Sequence, residues 1–375
     1  MAGIYIHIPF CRQKCYYCDF YKTVNTSLIG NFIKALLKEL ELRKDYIDGE
    51  KIETVYFGGG TPSILKKDEL RQIIYFLNNT FDIASDAEIT LEANPDDLLP
   101  DCIEMLLNSG INRLSIGVQS FQNEHLKRMN RRHNVQQAIQ SVENAAKIGF
   151  KNISLDLIYG LPELTPNQWN ETLHQVFALS FQHLSAYHLT YHQGTPFYTW
   201  LKKGKINEIC ETESVEQFNI LIDIAEMYGF EQYEISNFAK NKMYSKHNSS
   251  YWSGVKYIGA GPSAHSFNGD ERQWNISNLK NYINAVENGL SYFETEQLSK
   301  NEKFNEFVLV HLRTKWGISI SETGRKFGKE NANIVEKELQ KYQKYGFVKY
   351  NGNYYALTRE GMFISDEILS NLMIV

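Results

Sequence analysis

Residues 5–20 read Tyr-Ile-His-Ile-Pro-Phe-Cys-Arg-Gln-Lys-Cys-Tyr-Tyr-Cys-Asp-Phe, and this stretch decides the fold. It places three thiols, those of Cys11, Cys15 and Cys18, in one short loop. The loop directly follows an apolar segment, Gly3–Ile8, that predicts a strand. Thiolates this close together repel one another or oxidise unless a positive group holds them, so the spacing predicts a metal centre.

The number of thiols favours an iron–sulfur cluster over zinc. A structural zinc ion takes four ligands, usually from two paired motifs, and the chain has no second Cys pair. His7 could add a fourth ligand, but its neighbours alternate as in a buried strand, which favours a core role. Cysteine thiolates bind iron, and three of them leave one iron of a four-iron cluster open to a substrate or cofactor. A long chain with five cysteines and no secretory signal disfavours a disulfide scaffold.

The composition is that of an ordinary globular protein with about two or three domains. The 375 residues are 43% apolar and 22% charged, with a formal net charge of -5, so there is no basic bias toward nucleic acid. No apolar run approaches the roughly 18 residues that span a membrane, and the N-terminus lacks the form of a signal peptide. We therefore expect a cytoplasmic protein with no nucleic-acid partner and no integral membrane segment.

Six segments that predict strands alternate with amphipathic segments that predict helices. The predicted strands are Gly3–Ile8, Ile52–Phe57, Ala87–Glu92, Arg113–Gly117, Ile153–Ile158 and His183–Leu189. This alternation predicts an α/β fold with a parallel sheet and covering helices. Six units are too few for an eightfold barrel, so we predict a partial (β/α)6 barrel.

Polar and glycine residues follow the predicted strands, where parallel barrels carry out their chemistry. Gly58–Thr61 follows the second strand, Glu92 ends the third, Gln119 follows the fourth and Asp156 lies late in the fifth. We expect these residues to line one cavity with the cysteine loop. The glycine run is not a phosphate loop, because no Lys-Ser/Thr follows it; close approach to a ligand is favoured over a plain turn. Gly259–Ala264 matches a dinucleotide pattern but stands outside any strand–helix–strand series, and we reject that function.

Several motifs together carry a family resemblance. The spacing Cys-x3-Cys-x2-Cys resembles the signature of radical S-adenosylmethionine (SAM) enzymes, in which the amino and carboxylate groups of SAM chelate the fourth iron. The wider set looks like the branch that holds the oxygen-independent coproporphyrinogen oxidases and the HemW haem chaperones. That set is Tyr5–Cys11 with Cys15 and Cys18, Gly58–Ser63, Ser115–Phe121 and Asp156–Pro162.

The resemblance implies roles by position. It implies that Cys11, Cys15 and Cys18 hold a [4Fe-4S] cluster. It implies that the residues contacting SAM are Tyr5, Gly59 and Glu92. It also implies that the neighbouring cofactor or substrate space is lined by Tyr17, Gly60, Thr61, Gln119, Arg131 and Asp156. On composition alone Arg131 would be a solvated charge at a helix end. No residue is assigned a catalytic role.

Two departures favour the chaperones over the oxidases. The oxidases carry a fourth cysteine where this chain has Phe20. In addition, residues 246–252 read Lys-His-Asn-Ser-Ser-Tyr-Trp, which resembles the His-Asn-x-x-Tyr-Trp motif that the chaperones use at haem. Haem iron takes an imidazole or phenolate, and the macrocycle takes aromatic walls, so His247, Tyr251 and Trp252 are predicted haem contacts. The iron ligand stays open, and a histidine with two aromatics at a core edge is the alternative.

The last part of the chain predicts a small α+β domain. Helical stretches at Glu302–Leu312, Ser319–Phe327 and Ala332–Tyr345 precede a hairpin signal at Asn351-Gly352. Helices followed by a hairpin suggest a winged-helix-like module. Its lysines are balanced by nearby glutamates and form no basic stripe, which favours a lid or docking role over DNA reading.

We therefore predict a partial (β/α)6 radical-SAM barrel over residues 1–240. A connecting segment with the His-Asn-x-x-Tyr-Trp motif spans 241–294, and the winged-helix-like domain spans 295–375. The predicted function is a haem chaperone that passes haem to an unidentified acceptor protein. The alternative is an oxygen-independent coproporphyrinogen-III oxidase, which oxidatively decarboxylates propionate side chains. A redox-sensing winged-helix regulator is the third and least favoured interpretation.

Overall fold

The computed structural model describes residues 1–374, most of which are organised around one twelve-stranded sheet. Its strands are β1 (Ala2–Ile8), β2 (Ile52–Gly59), β3 (Ile83–Ala93), β4 (Arg113–Gln119), β5 (Ile153–Tyr159), β6 (His183–His188), β7 (Phe230–Gln232), β8 (Asn237–Lys240), β9 (Lys256–Ala260), β10 (His265–Phe267), β11 (Glu271–Asn275) and β12 (Phe293–Gln297). The strand order is β12-β11-β10-β9-β1-β2-β3-β4-β5-β6-β8-β7.

The six predicted strands form the parallel centre of this sheet. Strands β1 to β6 are neighbours in chain order, and each pair is parallel. The connecting helices are α1 (Ile29–Leu42), α2 (Lys67–Thr80), α3 (Pro100–Asn108), α4 (Asn123–Arg128), α5 (Val135–Ile148) and α6 (Pro166–Phe177). The predicted α/β fold with six strand–helix units is confirmed.

Alternation along each strand separates the helix-packed face of the sheet from its inner face. In β1, Ile4, Ile6 and Ile8 are fully buried in the main hydrophobic core. Tyr5 and His7 point to the opposite, inner side because successive side chains alternate. Helix α5 shows how the covering layer is fixed: Asn134 and the third helical residue cap its start reciprocally, and Gly149 ends it.

Further strands extend both edges of the parallel centre. β8 pairs with β6 at one edge, whereas β9 pairs in parallel with β1 at the other and leads into the meander β10–β11–β12. Residues 241–294 thus carry β9, β10, β11, α9 (Lys246–Trp252) and α10 (Leu279–Asn288). Helices α7 (Pro196–Lys202) and α8 (Glu211–Met227) lie between β6 and β7.

A small α+β region follows, with its own hydrophobic cluster. Its elements are α11 (Lys300–Leu312), β13 (Ile318–Ser319), α12 (Ile320–Phe327), α13 (Lys329–Lys344), β14 (Val348–Tyr350), β15 (Tyr354–Leu357), α14 (Arg359–Phe363) and α15 (Ser365–Leu372). The predicted hairpin is β14–β15, and the Oδ1 atom of Asn351 accepts the backbone N–H groups of Asn353 and Tyr354 in its turn. Within residues 1–374, every helix is too short or too polar to cross a bilayer.

Candidate functional site

The carboxyl ends of the parallel strands surround a cavity of about 450 Å³. Eleven of the predicted site residues line it: Cys11, Cys15, Tyr17, Cys18, Gly59, Gly60, Thr61, Glu92, Gln119, Arg131 and Asp156. Tyr5, His247, Tyr251 and Trp252 are not part of its wall. Most of the residues that the sequence singled out therefore lie together at the carboxyl ends of the parallel strands.

The cysteine loop is held by hydrogen bonds to neighbouring backbone. The backbone N–H of Cys11 donates to the carbonyl of Thr23 over 2.9 Å. The Lys22 ammonium donates to the carbonyl of Cys18 over 2.6 Å. The Thr61 hydroxyl lies 3.4 Å from the Cys11 sulfur and donates to it. Burial raises the pKa of the Cys11 thiol, and the Thr61 contact opposes that rise by stabilising the thiolate.

Arg131 lies against the cysteine loop instead of in solvent. The loop and the turn at Asn130 bind each other, since the Gln13 amide donates to the Asn130 carbonyl and the Asn130 amide donates to the Lys14 carbonyl. This places Arg131 Nη1 3.4 Å from the Cys15 sulfur. A fixed positive charge therefore lies beside one of the three cysteine sulfurs, and such a charge stabilises the negative charge of metal-bound thiolates.

Asn94 is a site residue that the sequence reasoning missed. Its Oδ1 atom accepts the Nη2 of Arg131 over 2.6 Å, and its amide donates to the Thr61 hydroxyl over 3.3 Å. Asn94 thus connects the two side chains that contact Cys11 and Cys15. Its position directly after β3, two residues beyond Glu92, was the available signal.

Two half-buried carboxylates, those of Glu92 and Asp156, lie on neighbouring parts of the cavity wall. Glu92 accepts the Tyr56 hydroxyl over 2.9 Å and the Gly59 N–H over 3.1 Å. Burial, with a smaller contribution from the Asp156 charge, raises the pKa of Glu92 to about 7. Burial also raises the pKa of Asp156 to about 6, against the opposing effect of the Ser115 hydroxyl, which donates over 3.2 Å. Both groups are therefore acceptors whose charge changes near neutral pH.

The backbone at two strand ends has conformations that fix the shape of the cavity. Gly59 has φ of 102°, and a Cβ there would lie 2.6 Å from the His7 ring. A Cβ at Gly60 would lie 2.7 Å from the Phe10 carbonyl oxygen. The glycines are thus required by close packing within the chain as well as by their place on the cavity. Gln119 has φ of 69° at an irregular β4–β5 register, a strained geometry that is common at functional sites.

The His-Asn-x-x-Tyr-Trp motif forms the short helix α9, which packs against the inner face of the sheet. The Glu88 carboxylate of β3 accepts the backbone N–H groups of Lys246 and His247 at the start of this helix. His247 is buried, and both its ring nitrogens are engaged: Nδ1 with the Thr54 hydroxyl at 2.8 Å and Nε2 with the Tyr251 hydroxyl at 2.9 Å. Burial lowers the pKa of His247 to about 3, so the imidazole is neutral.

Tyr251 and Trp252 lie at a second cavity, of about 770 Å³, whereas His247 lies behind Tyr251 and is not part of its wall. Tyr5 also lines this cavity, and its hydroxyl is 3.2 Å from His7 Nδ1. The indole Nε1 of Trp252 is buried and has no hydrogen-bond partner among residues 1–374.

Two family profiles match the chain. The Radical SAM superfamily profile covers residues 5–176, and the HemN C-terminal domain profile covers residues 298–364. The heme chaperone HemW of Bacillus subtilis is 34% identical over 371 residues, which is 98% of this chain and 98% of that protein. The heme chaperone HemW of Lactococcus lactis is 35% identical over 324 residues, which is 86% of this chain and 84% of that protein. The chain belongs to the HemW heme chaperone family.

A solved structure agrees with this assignment at the level of the fold. Coproporphyrinogen III oxidase (HemN) from Escherichia coli, described as a radical SAM enzyme, is similar with a TM-score of 0.85 and 26% sequence identity. The similarity covers 99% of this chain and 90% of that one. The predicted family, the α/β radical SAM fold and the small C-terminal α+β region are confirmed.

In this HemW family member the two cavities adjoin. Asp19 and Phe20 line both of them, at the end of the cysteine loop. The Phe20 side chain is 66% exposed, which is a large exposed fraction for an aromatic residue placed beside two cavities. The position at which the sequence departs from the oxidase pattern is therefore the boundary between the cysteine cavity and the aromatic cavity.

Proposed function

We propose that the chain is a cytoplasmic haem chaperone that binds haem and transfers it to an acceptor protein. In this proposal Cys11, Cys15 and Cys18 hold a [4Fe-4S] cluster, and SAM binds exchangeably beside it. The observation that carries the proposal is the pairing of two adjoining cavities: one lined by the three thiols, and one lined by Tyr251 and Trp252. Membership of the HemW heme chaperone family also supports the haem function.

The donor set supports the cluster. Residues 1–374 contain no group of three or more His, Cys, Asp or Glu side chains placed closely enough to hold one metal ion. Separate thiols around one cavity suit a cluster of several irons, in which each iron takes its own thiolate. Arg131 and Thr61 each contact one of the sulfurs, as the negative charge of such a cluster requires. When bound, a cluster with three thiolates supplies an open iron for the amino and carboxylate groups of SAM.

The neighbouring polar groups support SAM binding. Glu92 presents a carboxylate toward the same cavity, and Gly59 holds that carboxylate through its backbone N–H. Gln119 and Asp156 add polar acceptors on the next two strands. Tyr5 packs behind this wall, since a Cβ at Gly58 would lie 3.0 Å from the Tyr5 ring. Its proposed contribution is to position the Gly58–Gly59 backbone.

The geometry of α9 supports Tyr251 and Trp252 as the haem contacts of the motif, with His247 as a positioning residue. His247 fixes the Tyr251 hydroxyl through the hydrogen bond between that hydroxyl and its Nε2 atom, and its own orientation is fixed by Thr54. A phenolate or imidazole can serve as an axial group for haem iron, and of the two such side chains in this motif, His247 and Tyr251, it is Tyr251 that reaches the cavity.

Haem titration and transfer test the chaperone function. Anaerobically reconstituted protein is titrated with ferric haem, and the loaded protein is then mixed with an apo-haem protein from the same cell extract. We expect saturable haem binding in the wild type and about tenfold weaker binding in the Tyr251→Phe, Trp252→Ala double variant. We also expect the acceptor to gain haem faster from the loaded wild-type protein than from the same concentration of free haem. A wild type without saturable haem binding would overturn the function.

The oxidase alternative is kept because the similarity to coproporphyrinogen III oxidase (HemN) spans nearly the whole chain. Incubating the reconstituted protein with coproporphyrinogen III, SAM and a reductant separates the two functions. We expect no decarboxylated product, because Phe20 occupies the position of the oxidases' fourth cysteine. Catalytic turnover to a decarboxylated porphyrinogen would favour the enzyme.

A further inference from the structure

The second cavity lies between the β9–β11 edge of the sheet and helices α11 and α12 of the C-terminal region. One wall is a row of side chains across three strands, Tyr257, Phe267 and Arg272. Phe267 pairs with Tyr257 on one side and with Arg272 on the other, and residues paired across strands share one face of a sheet. This wall therefore continues the inner face of β1, where Tyr5 and His7 lie.

The opposite wall is one stripe of α11. Lys303, Glu306, Phe307, Val310 and His311 line the cavity, and their spacing of i, i+3, i+4, i+7 and i+8 is that of one helix face. Phe327 of α12 adds a second ring, 5.2 Å from that of Phe307. Aromatic side chains thus lie on both sides of the cavity.

Three cations also line the cavity: Arg272, Lys303 and Lys326. Arg272 pairs with Glu306 over 2.9 Å, Lys303 with Asp270 over 2.6 Å, and Lys326 with Glu322 over 2.9 Å. All three pairs are partly exposed to solvent, where an ion pair contributes little to stability. A ligand carboxylate can therefore replace these partners at small cost.

We propose that this cavity binds a flat tetrapyrrole between its two aromatic walls and pairs the tetrapyrrole's carboxylates with Arg272, Lys303 and Lys326. The inference rests on the proposed function and deepens it, because it makes the C-terminal region one half of the haem site. A volume of about 770 Å³ is within the range of sites for large organic ligands.

The proposal predicts that recognition of the ligand carboxylates can be removed without loss of binding of the macrocycle. Full-length wild type is titrated, by absorbance, with ferric protoporphyrin IX and with its dimethyl ester. We expect the diacid to bind about tenfold more tightly than the diester, since about three charge-assisted contacts are lost in the ester. A triple variant, Arg272→Gln, Lys303→Gln and Lys326→Gln, is expected to bind both ligands equally, with its affinity for the diester unchanged.

A matched control removes three lysines elsewhere in the same region. Lys337→Gln, Lys341→Gln and Lys344→Gln change the net charge by the same amount at exposed positions of α13 outside the cavity. This variant is expected to keep the wild-type preference for the diacid. If the first triple variant does not fold, the single variants Lys303→Gln and Lys326→Gln, at partly exposed side chains, are each expected to reduce the preference about twofold.

The possible outcomes distinguish failure of the proposed tetrapyrrole site from failure of the proposed haem-chaperone function. A wild type that binds neither ligand overturns the proposed function and the inference with it. A wild type that binds haem with the same preference as the cavity variants overturns the inference alone and leaves the haem function in place.

Discussion

Glu92 is the residue whose charge decides how well the end of β3 accepts hydrogen bonds from a cofactor amino group. Its pKa is raised to about 7, first by burial and then by Asp156. A raised carboxyl pKa means that the ionised acceptor form is lost as pH falls through 7. We expect the affinity for SAM to fall about fivefold from pH 8 to pH 6, measured by equilibrium dialysis of the cluster-loaded protein.

The Glu92→Gln variant is the control for this pH dependence. It keeps an amide oxygen in place of the carboxylate but has no titrating group, so its SAM affinity should be lower and nearly flat from pH 6 to pH 8. Asp156, with a pKa of about 6, is half protonated at pH 6, so the slope that remains in the variant should be at most about twofold and smaller than that of the wild type. The same slope in the variant and the wild type would contradict the role given to Glu92.

Arg131 and its neighbour Arg132 differ in what they contact. Arg131 reaches the Cys15 sulfur, the Asn94 amide oxygen and the Gly117 carbonyl. Arg132 pairs with Asp97 over 2.9 Å instead. We expect Arg131→Gln to retain less iron and sulfide per chain after anaerobic reconstitution, with cluster loss about tenfold faster on exposure to a chelator, because a partly buried charge-assisted contact is removed.

The matched variant Arg132→Gln breaks partly buried ion pairs with Asp96 and Asp97, and it should keep the wild-type iron content. If both variants lost iron equally, the effect would come from the shared turn and not from the guanidinium beside Cys15.

At the scale of elements, the end of β2 is more constrained than the start of α1. A Cβ at Gly59 meets the His7 ring and φ is positive, whereas a Cβ at Gly30 in α1 has open space. We expect Gly59→Ala to lower the free energy of unfolding by about 2–4 kcal/mol through strain and overpacking. Gly30→Ala should raise it by about 0.5 kcal/mol, because alanine favours helix and narrows the unfolded ensemble.

Urea denaturation, followed by circular dichroism, measures both changes. Similar midpoints for the Gly59→Ala and Gly30→Ala variants would mean that the turn after β2 relaxes freely, and that its glycines are not required for packing.

The central strands were predictable because each is long, apolar and followed by a helix. The sequence located β1 to β6 within a few residues, and the helix–hairpin order of the last part of the chain as well. It did not locate β9 to β12. Strands such as β11 (Glu271–Asn275) and β12 (Phe293–Gln297) are short and carry several charged residues, so their hydrophobic alternation is weak. These strands join the sheet only because β9 pairs with β1 at the edge of the parallel centre.

The site was predictable where position along a strand decides it. Glu92, Gln119 and Asp156 lie at strand ends, and the structure brings them to the cavity of the three cysteines. The relation between His247 and Tyr251 was not predictable, because it depends on Thr54 lying beneath α9. The second cavity is lined by residues more than 50 positions apart in the sequence, such as Tyr251 and Phe307, and no local sequence pattern predicts that they lie together.

At the scale of the whole molecule, side chains in direct contact connect the two cavities. The Glu92 carboxylate accepts the hydroxyl of Tyr56. The Tyr56 ring is stacked on His247 with centroids 5.0 Å apart, and His247 binds the Tyr251 hydroxyl. A ligand that moves Glu92 thus acts on the side chain that orients Tyr251. Contact alone does not establish coupling, so the energy has to be measured.

We expect SAM to change the haem affinity by about fivefold, and haem to change the SAM affinity by the same factor, because coupling between two binding sites is reciprocal. The Tyr56→Phe variant keeps the ring on His247 but loses the hydroxyl that binds Glu92, so the factor should fall toward one while haem still binds. Tyr75→Phe, at an exposed position of α2, is the control and should keep the wild-type factor. Paired titrations, each ligand measured with and without saturation by the other, give both factors. Unchanged coupling in the Tyr56→Phe variant would show that the two sites do not communicate through the contact between Glu92 and the Tyr56–His247 stack.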